Sequence, residues 1–153
     1  MIVTIASFKG GVGKTTTAIH LAAVLQGQGP TLLVDGDLNR SALQWAEPGR
    51  LPFTVADELK APKLLAAGTF THIVIDTAAR PTPEELTALA EGCDHLVIPC
   101  SPEALSLGAT LQMVDHLQSL KASYRILLTL IPPPPNIAGA EARAALEGAG
   151  LPV

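Results

Sequence analysis

Charged side chains make up only 16% of this sequence and aromatic ones 3%. Ten Lys and Arg against fourteen Asp and Glu leave a formal net charge of −4, which excludes coating of nucleic acid through overall charge. Any DNA contact must come from a local patch. So few aromatics also exclude the stacking platforms used on single strands and RNA. The two cysteines, Cys93 and Cys100, cannot build a disulfide framework. Neither sits in a CxxC or beside a His at ligand spacing, so both read as buried, reduced thiols. The four histidines share no spacing that suggests a metal site. No apolar run reaches the roughly 18 residues needed to span a bilayer. Met1 leads straight into Ile2-Val3-Thr4-Ile5, without a basic region, a signal-length apolar stretch or a cleavage site. These absences together predict a soluble, cytoplasmic protein without membrane contact.

What is present is core. With 153 residues at 48% hydrophobic, the chain can bury a sizeable interior as one compact domain. Short β-branched or Leu-rich runs alternate with Ala/Leu-rich stretches of helical period, the pattern of βαβ units around a buried parallel sheet. The predicted strands are Ile2–Ser7, Thr31–Asp35, Phe53–Val55, His72–Asp76, His95–Pro99 and Arg125–Ile131. The predicted helices are Thr15–Gln28, Arg40–Trp45, Asp57–Ala67, Thr82–Glu91, Pro102–Lys121 and Ala138–Gly148. Thr82 before Pro83 and Glu85 reads as an N-cap with a capping box, and Ser101-Pro102-Glu103 repeats the idea. Helices then begin directly after strand ends, at the edge where open α/β sheets bind ligands. Pro132–Pro135 must be extended and reads as a stiff loop closing the sheet edge.

The segment Ser7-Phe8-Lys9-Gly10-Gly11-Val12-Gly13-Lys14-Thr15-Thr16 falls between the first strand and the first helix. Gly10, Gly11 and Gly13 let the backbone take positive φ and turn successive N–H groups, including that of Val12, toward phosphate oxygens. The helix start adds unpaired N–H groups and a positive dipole end. Lys14 is placed to reach β- and γ-phosphates, Thr15 to offer its hydroxyl to Mg²⁺, and Thr16 to bond near the α-phosphate. K-G-G-x-G-K-T specifies six positions and arises by chance on the order of once in ten million windows. A plain connecting turn is therefore the weaker reading.

The plain phosphate loop G-x-x-x-x-G-K-[ST] would have its first glycine at Phe8, but here a second lysine, Lys9, opens the loop instead. This spacing resembles the deviant Walker A box of the ParA/MinD family of dimeric ATPases. The resemblance implies a P-loop NTPase-type, mostly parallel α/β sheet with helices on both faces, with ATP and Mg²⁺ as ligands. It also implies that Lys9 reaches the partner's nucleotide across an ATP-dependent homodimer, acting as an arginine finger does. A solvated Lys9 is the alternative.

Two strands end in carboxylates at the same edge, Leu32-Leu33-Val34 in Asp35-Gly36-Asp37 and Ile73-Val74-Ile75 in Asp76-Thr77. By the resemblance Asp37 positions or activates the attacking water, Asp76 holds Mg²⁺ through water, and Asp35 lies in the metal's outer shell. Thr15, Asp37 and Asp76 are thus the residues expected around the metal, and Lys9, Lys14 and Asp37 those expected to act in hydrolysis. Each carboxylate also fits an ordinary turn or helix cap. Relatives often show Pro-Gln after the second Asp, where this chain has Leu38-Asn39-Arg40-Ser41, so its switch loop is a variant. Arg80 fits either a γ-phosphate or partner sensor or a surface arginine. The resemblance places adenine contacts near Thr129–Pro133.

The likeness is strongest to small members that partition plasmids or position cargo over the nucleoid, and the stretches from Asp35 to Trp45 and from Asp76 to Pro81 are similar to the carboxysome-positioning branch. It implies non-specific DNA as track, a nucleoid-associated ATP state and an adaptor that stimulates turnover. It also implies that this single P-loop ATPase domain, 1–153, stops short of the C-terminal part common in the family. Residues 101–153 hold only Lys121, Arg125 and Arg143 against Glu103, Asp115, Glu141 and Glu147. Ala138–Gly148, with Arg143 as its only basic residue, is not a membrane-targeting helix. Two other classes stay open: a nucleotide-binding scaffold with negligible turnover that recruits a partner, and a metabolic P-loop enzyme.

Overall fold

The computed structural model describes residues 1–153. Six parallel strands, β1 Ile2–Ile5, β2 Thr31–Gly36, β3 Thr54–Asp57, β4 His72–Thr77, β5 His95–Cys100 and β6 Tyr124–Leu128, form one sheet in the order β3-β2-β4-β1-β5-β6. The six crossover and terminal helices are α1 Lys14–Gln26, α2 Ser41–Ala46, α3 Ala61–Ala66, α4 Pro83–Glu91, α5 Ala104–Ser119 and α6 Ala138–Gly148. The expected mostly parallel α/β sheet with helices on both faces is what the chain forms.

Alternation along the strands sorts the core into two layers. Val3, Ile5, Leu33 and Val74 pack with Ala18, Ile19, Ala22 and Leu25 of α1 and Ala42 of α2. On the opposite face Leu96, Ile98, Ile126 and Leu128 meet Leu86 of α4, Met113, Val114 and Leu117 of α5, and Leu146 of α6. A smaller cluster of Leu32, Val34, Ala56 and Ala61 seats α3 beyond β2. Both sides of the central strands are apolar, which is why they read as continuous runs rather than alternating ones.

The registers bring the functional strand ends level. Ile5 of β1 pairs with Asp76 of β4, and Asp76 pairs with Asp35 of β2. The Thr77 hydroxyl then donates to Ile5 O at 2.8 Å, tying the end of β4 to β1.

Element boundaries shift where side chains compete with the helix or the ladder. The helix expected from Asp57 starts at Ala61, because Asp57 first closes a turn, its Oδ1 accepting from Lys60 N at 2.8 Å. The expected cap at Ser101 is absent; α5 starts at Ala104, since Ser101 N donates to Ser106 Oγ at 3.0 Å and Glu103 becomes the capping residue. The capping box at Thr82 forms as expected, Thr82 Oγ1 accepting from Glu85 N at 3.2 Å and Glu85 Oε2 from Thr82 N at 2.7 Å. β6 ends at Leu128 rather than Ile131, and Leu130 turns the chain at φ 52°.

Truncating Ile98, fully buried between β5 and α5, to Ala is expected to cost about 2–5 kcal/mol of unfolding free energy in urea. Leu38→Ala, at a residue 86% exposed, is expected to change it by less than about 0.5 kcal/mol.

Candidate functional site

The first βα connection, from Ser7 to Thr16, lies over the carboxyl ends of β1 and β4. Gly11 at φ 76° and Gly13 at φ 86° take the left-handed conformation that side chains resist. Gly10 does not need it; a Cβ there would meet only Ala79, at 4.0 Å. Gly13 serves as the N-cap of α1, and its carbonyl accepts from Thr17 N at 2.9 Å. No side chain caps this helix and no acid stands in its first turn, so its first N–H groups stay available to an anion. Val12 is buried and its carbonyl accepts from the Thr129 hydroxyl at 2.8 Å. That bond holds the loop Thr129–Pro133 against the phosphate loop, which puts the expected adenine segment beside it.

Lys14 is buried and takes part in no salt bridge. Burial pulls its pKa down, against the opposing pull of Asp76 and Asp37. A buried cation of this kind favours an anionic ligand.

The two carboxylates facing each other on β2 and β4 have opposite fates. Asp35 is fully buried and both of its oxygens are engaged, Oδ1 by Asp37 N at 3.2 Å and Oδ2 by Leu43 N at 3.0 Å. It organises the loop leading into α2, the turn-and-cap role, rather than offering free oxygens to a metal's surroundings. Asp76 is equally buried, and neither of its oxygens has a protein partner. Burial pushes its carboxyl up to about 6, the charges of Asp35 and Asp37 adding to the rise while the nearby Thr15 hydroxyl and Lys14 oppose it. Orphaned buried oxygens are rare and point to a missing partner. A hydrated divalent cation fits: Asp76 and the Thr15 hydroxyl offer hard oxygen donors, and no trio of His, Cys, Asp or Glu competes as an all-protein cage. Mg²⁺ is bound in this manner, by few protein groups together with phosphates and water.

Asp37 is half-buried at the mouth of the site, with Oδ1 accepting from Asn39 N at 2.9 Å. Its loop is clamped from outside by Arg40, which stands at φ 52°. Arg40 Nη1 donates to Asp35 O at 2.6 Å and Nη2 to Glu58 Oε1 at 2.6 Å, with a second Nη1 bond to Glu58. This fork holds the Glu58 carboxyl well below the usual range. Lys9 Nζ pairs with Glu103 Oε2 at 2.8 Å at the start of α5, in an ion pair open to solvent. Arg80 is exposed at φ 60°, forms no salt bridge, and its N–H donates to Ser7 O at 3.0 Å. Glu58, Glu103 and Thr129 were not predicted to do these things. Glu103 carried only a capping signal, and Glu58 and Thr129 act through neighbours far away in the chain.

A parallel sheet whose first strand runs through a glycine loop into an uncapped helix, with a buried lysine opposite an orphaned aspartate, defines a P-loop nucleotide-binding α/β domain. The chain belongs to the CobQ/CobB/MinD/ParA nucleotide binding domain family, whose model matches residues 3–142. It is 38% identical over 159 aligned positions to the maintenance of carboxysome distribution protein A of Gloeobacter kilaueensis, covering 99% of this chain and 73% of that protein. Among solved structures it is similar to a plasmid partition protein from Borrelia burgdorferi, with a TM-score of 0.75 and 19% identity over 95% of this chain and 84% of that one. It is similar also to cobyrinic acid a,c-diamide synthase from Mycobacterium smegmatis, crystallised with ADP and magnesium, with a TM-score of 0.73 and 21% identity over 99% of this chain and 83% of that one. No helix is long and apolar enough to cross a membrane.

The raised Asp76 pKa gives a pH dependence with a definite sign. Folding favours the protonated carboxyl, so its contribution to stability is complete below the ordinary value of 3.8 and is lost as pH rises through about 6. In nucleotide-free protein without Mg²⁺, the stability of Asp76→Asn relative to wild type is expected to rise by about 2 kcal/mol between pH 4 and pH 7. Urea midpoints across that range measure it.

Proposed function

We propose that this chain is an ATP-driven positioning switch. It binds ATP and Mg²⁺ at the first βα loop, closes face to face with a second copy around the nucleotides, and is reset by hydrolysis. The observation that carries the reading is the buried Lys14 set opposite Asp76, whose two oxygens lack protein partners. A cation and an unused carboxylate at a helix N-terminus together suit a polyphosphate with its metal.

In this reading the loop N–H groups from Lys9 to Thr16 and the Lys14 ammonium bind the phosphates. Thr15 and Asp76 would hold Mg²⁺, Asp76 through water, and the metal would supply positive charge to offset that developing on the phosphoryl group. Asp37 leaves Asn39 N to orient the attacking water. Lys9 leaves Glu103 to reach the partner's nucleotide; their ion pair is exposed, with Glu103 at 67%, so breaking it costs little, about 0–1 kcal/mol. A nucleotide contacted by both chains binds the dimer more tightly, which is why ATP drives closure.

The features of the site fit any P-loop hydrolase or synthetase, and the fold likeness extends to a plasmid partition protein and to a diamide synthase alike. Positioning is favoured by the 38% identity to a protein named for carboxysome distribution. DNA as the track, a stimulating adaptor and a nucleoid-associated ATP state enter this proposal from the family resemblance.

Light scattering with saturating ATP and Mg²⁺ is expected to show a dimer, and a monomer without nucleotide. Lys14→Ala is expected to lower ATP affinity at least about 100-fold. Lys9→Ala should keep ATP binding yet stay monomeric, and Asp37→Ala should dimerise without releasing phosphate. Equal, background-level phosphate release from wild type, Lys9→Ala and Asp37→Ala would favour a nucleotide-binding scaffold instead. A wild-type monomer at saturating ATP would sink the sandwich.

A further inference from the structure

Both backbone groups of Asp37 are held within the switch loop. Its N–H donates to Asp35 Oδ1 at 3.2 Å, and its carbonyl accepts from Arg40 N at 3.0 Å. Ala42, fully buried against the α1 layer, anchors the far end of the loop in the core. The Asp37 carboxylate is held more lightly, by the single bond from Asn39 N.

Arg40 closes this loop at a conformational cost. It stands at φ 52° and ψ 37°, in the left-handed region that side chains resist, and its side chain makes no capping bond to α2. The guanidinium reaches back instead, Nη1 to Asp35 O at 2.6 Å and both Nη1 and Nη2 to the Glu58 carboxylate. Asp35 and Asp57 are level in the β2–β3 ladder, so Glu58 lies just beyond β3 and the fork spans two strand ends. Such two-pronged pairs fix geometry. With side chains 31% and 48% exposed, the pair contributes little to folding. A strained turn retained for so weak a stabiliser points to a task in the site.

We propose that Arg40 is a positioning residue for ATP hydrolysis: gripped by Glu58, it fixes the Asp37 backbone at the mouth of the site, so that release from Asn39 N turns only the carboxylate toward the attacking water. The role rests on the ATPase reading above and adds to it a residue that acts through Asp37 rather than on the nucleotide. The phosphate loop lies outside this linkage, so ATP binding and turnover should separate.

The full chain with ATP and Mg²⁺ provides the test. Arg40→Asn keeps a residue that accepts the left-handed turn while removing the fork. Its kcat for phosphate release is expected to fall about 10- to 100-fold, with KM for ATP within about twofold and thermal melting unchanged. Arg40→Lys, which keeps the charge without the fork, should fall between it and wild type. Glu58→Gln should also lower kcat, and the double variant should be no slower than Arg40→Asn alone, because the two residues act as one unit. Without nucleotide, both single variants should speed amide hydrogen exchange at Asp37, Asn39 and Leu43 at least about fivefold. Lys60→Ala, which removes the neighbouring pair with Asp57 at 3.4 Å, should leave both readouts at the wild-type level. Wild-type kcat in Arg40→Asn, a raised KM at unchanged kcat, additive losses, or unchanged exchange would overturn the proposal. A wild type that releases no phosphate, or an Asp37→Ala variant that releases it at the wild-type rate, would sink the ATPase reading itself and this role with it.

Discussion

The site rests on the hydrogen-bond register of three neighbouring strands. Ile5, Asp76 and Asp35 sit level across β1, β4 and β2, and that alignment brings the phosphate loop, the orphaned carboxylate and the switch loop to one edge. A slip of one residue in a parallel ladder would turn every side chain to the opposite face. The two apolar layers oppose it, since Leu33 and Val74 face α1 while Leu32 and Ile73 face α3. Packing of the core and geometry of the site are therefore one constraint, enforced far from any ligand.

That constraint also explains how two aspartates side by side come to differ. Asp35 lies where the chain turns back over it, so the N–H groups of Asp37 and Leu43 fall within reach of its oxygens. Asp76 lies where β4 passes under the phosphate loop, among Lys14, Thr15 and further carboxylates, with no backbone N–H turned toward it. The first is a buried anion compensated internally. The second is a buried carboxyl with no internal compensation, held in an unfavourable electrostatic state.

Much of this was legible in the sequence because the informative patterns are local. The six strands and six helices follow from short apolar runs between helical stretches, and the glycine loop from seven consecutive residues. The Thr82 capping box needs only four. Departures arise where a residue answers to something distant. Ser101 reads as a cap until Ser106 takes its N–H. Asp57 reads as a helix start until it closes its own turn. Lys9 has no local feature that foretells Glu103, and Arg40 none that foretells Glu58, since those pairs form only when separate strand ends converge. The same holds for Asp35 and Asp76: both end apolar strands in the sequence, and only the three-dimensional surroundings show which one has free oxygens.

Thr129 closes the set of long-range ties. Its hydroxyl bonds Val12 across 117 positions of chain, and β1 itself takes β4 and β5 as its neighbours. The nucleotide loop is thus encoded in one stretch of chain but completed by a residue from another, far along it. During synthesis, Lys9 to Thr16 are made well before Thr129, and their final support is in place only once the chain has passed β6. A nascent chain that has not yet reached Thr129 holds the glycine motif without the hydroxyl that supports Val12.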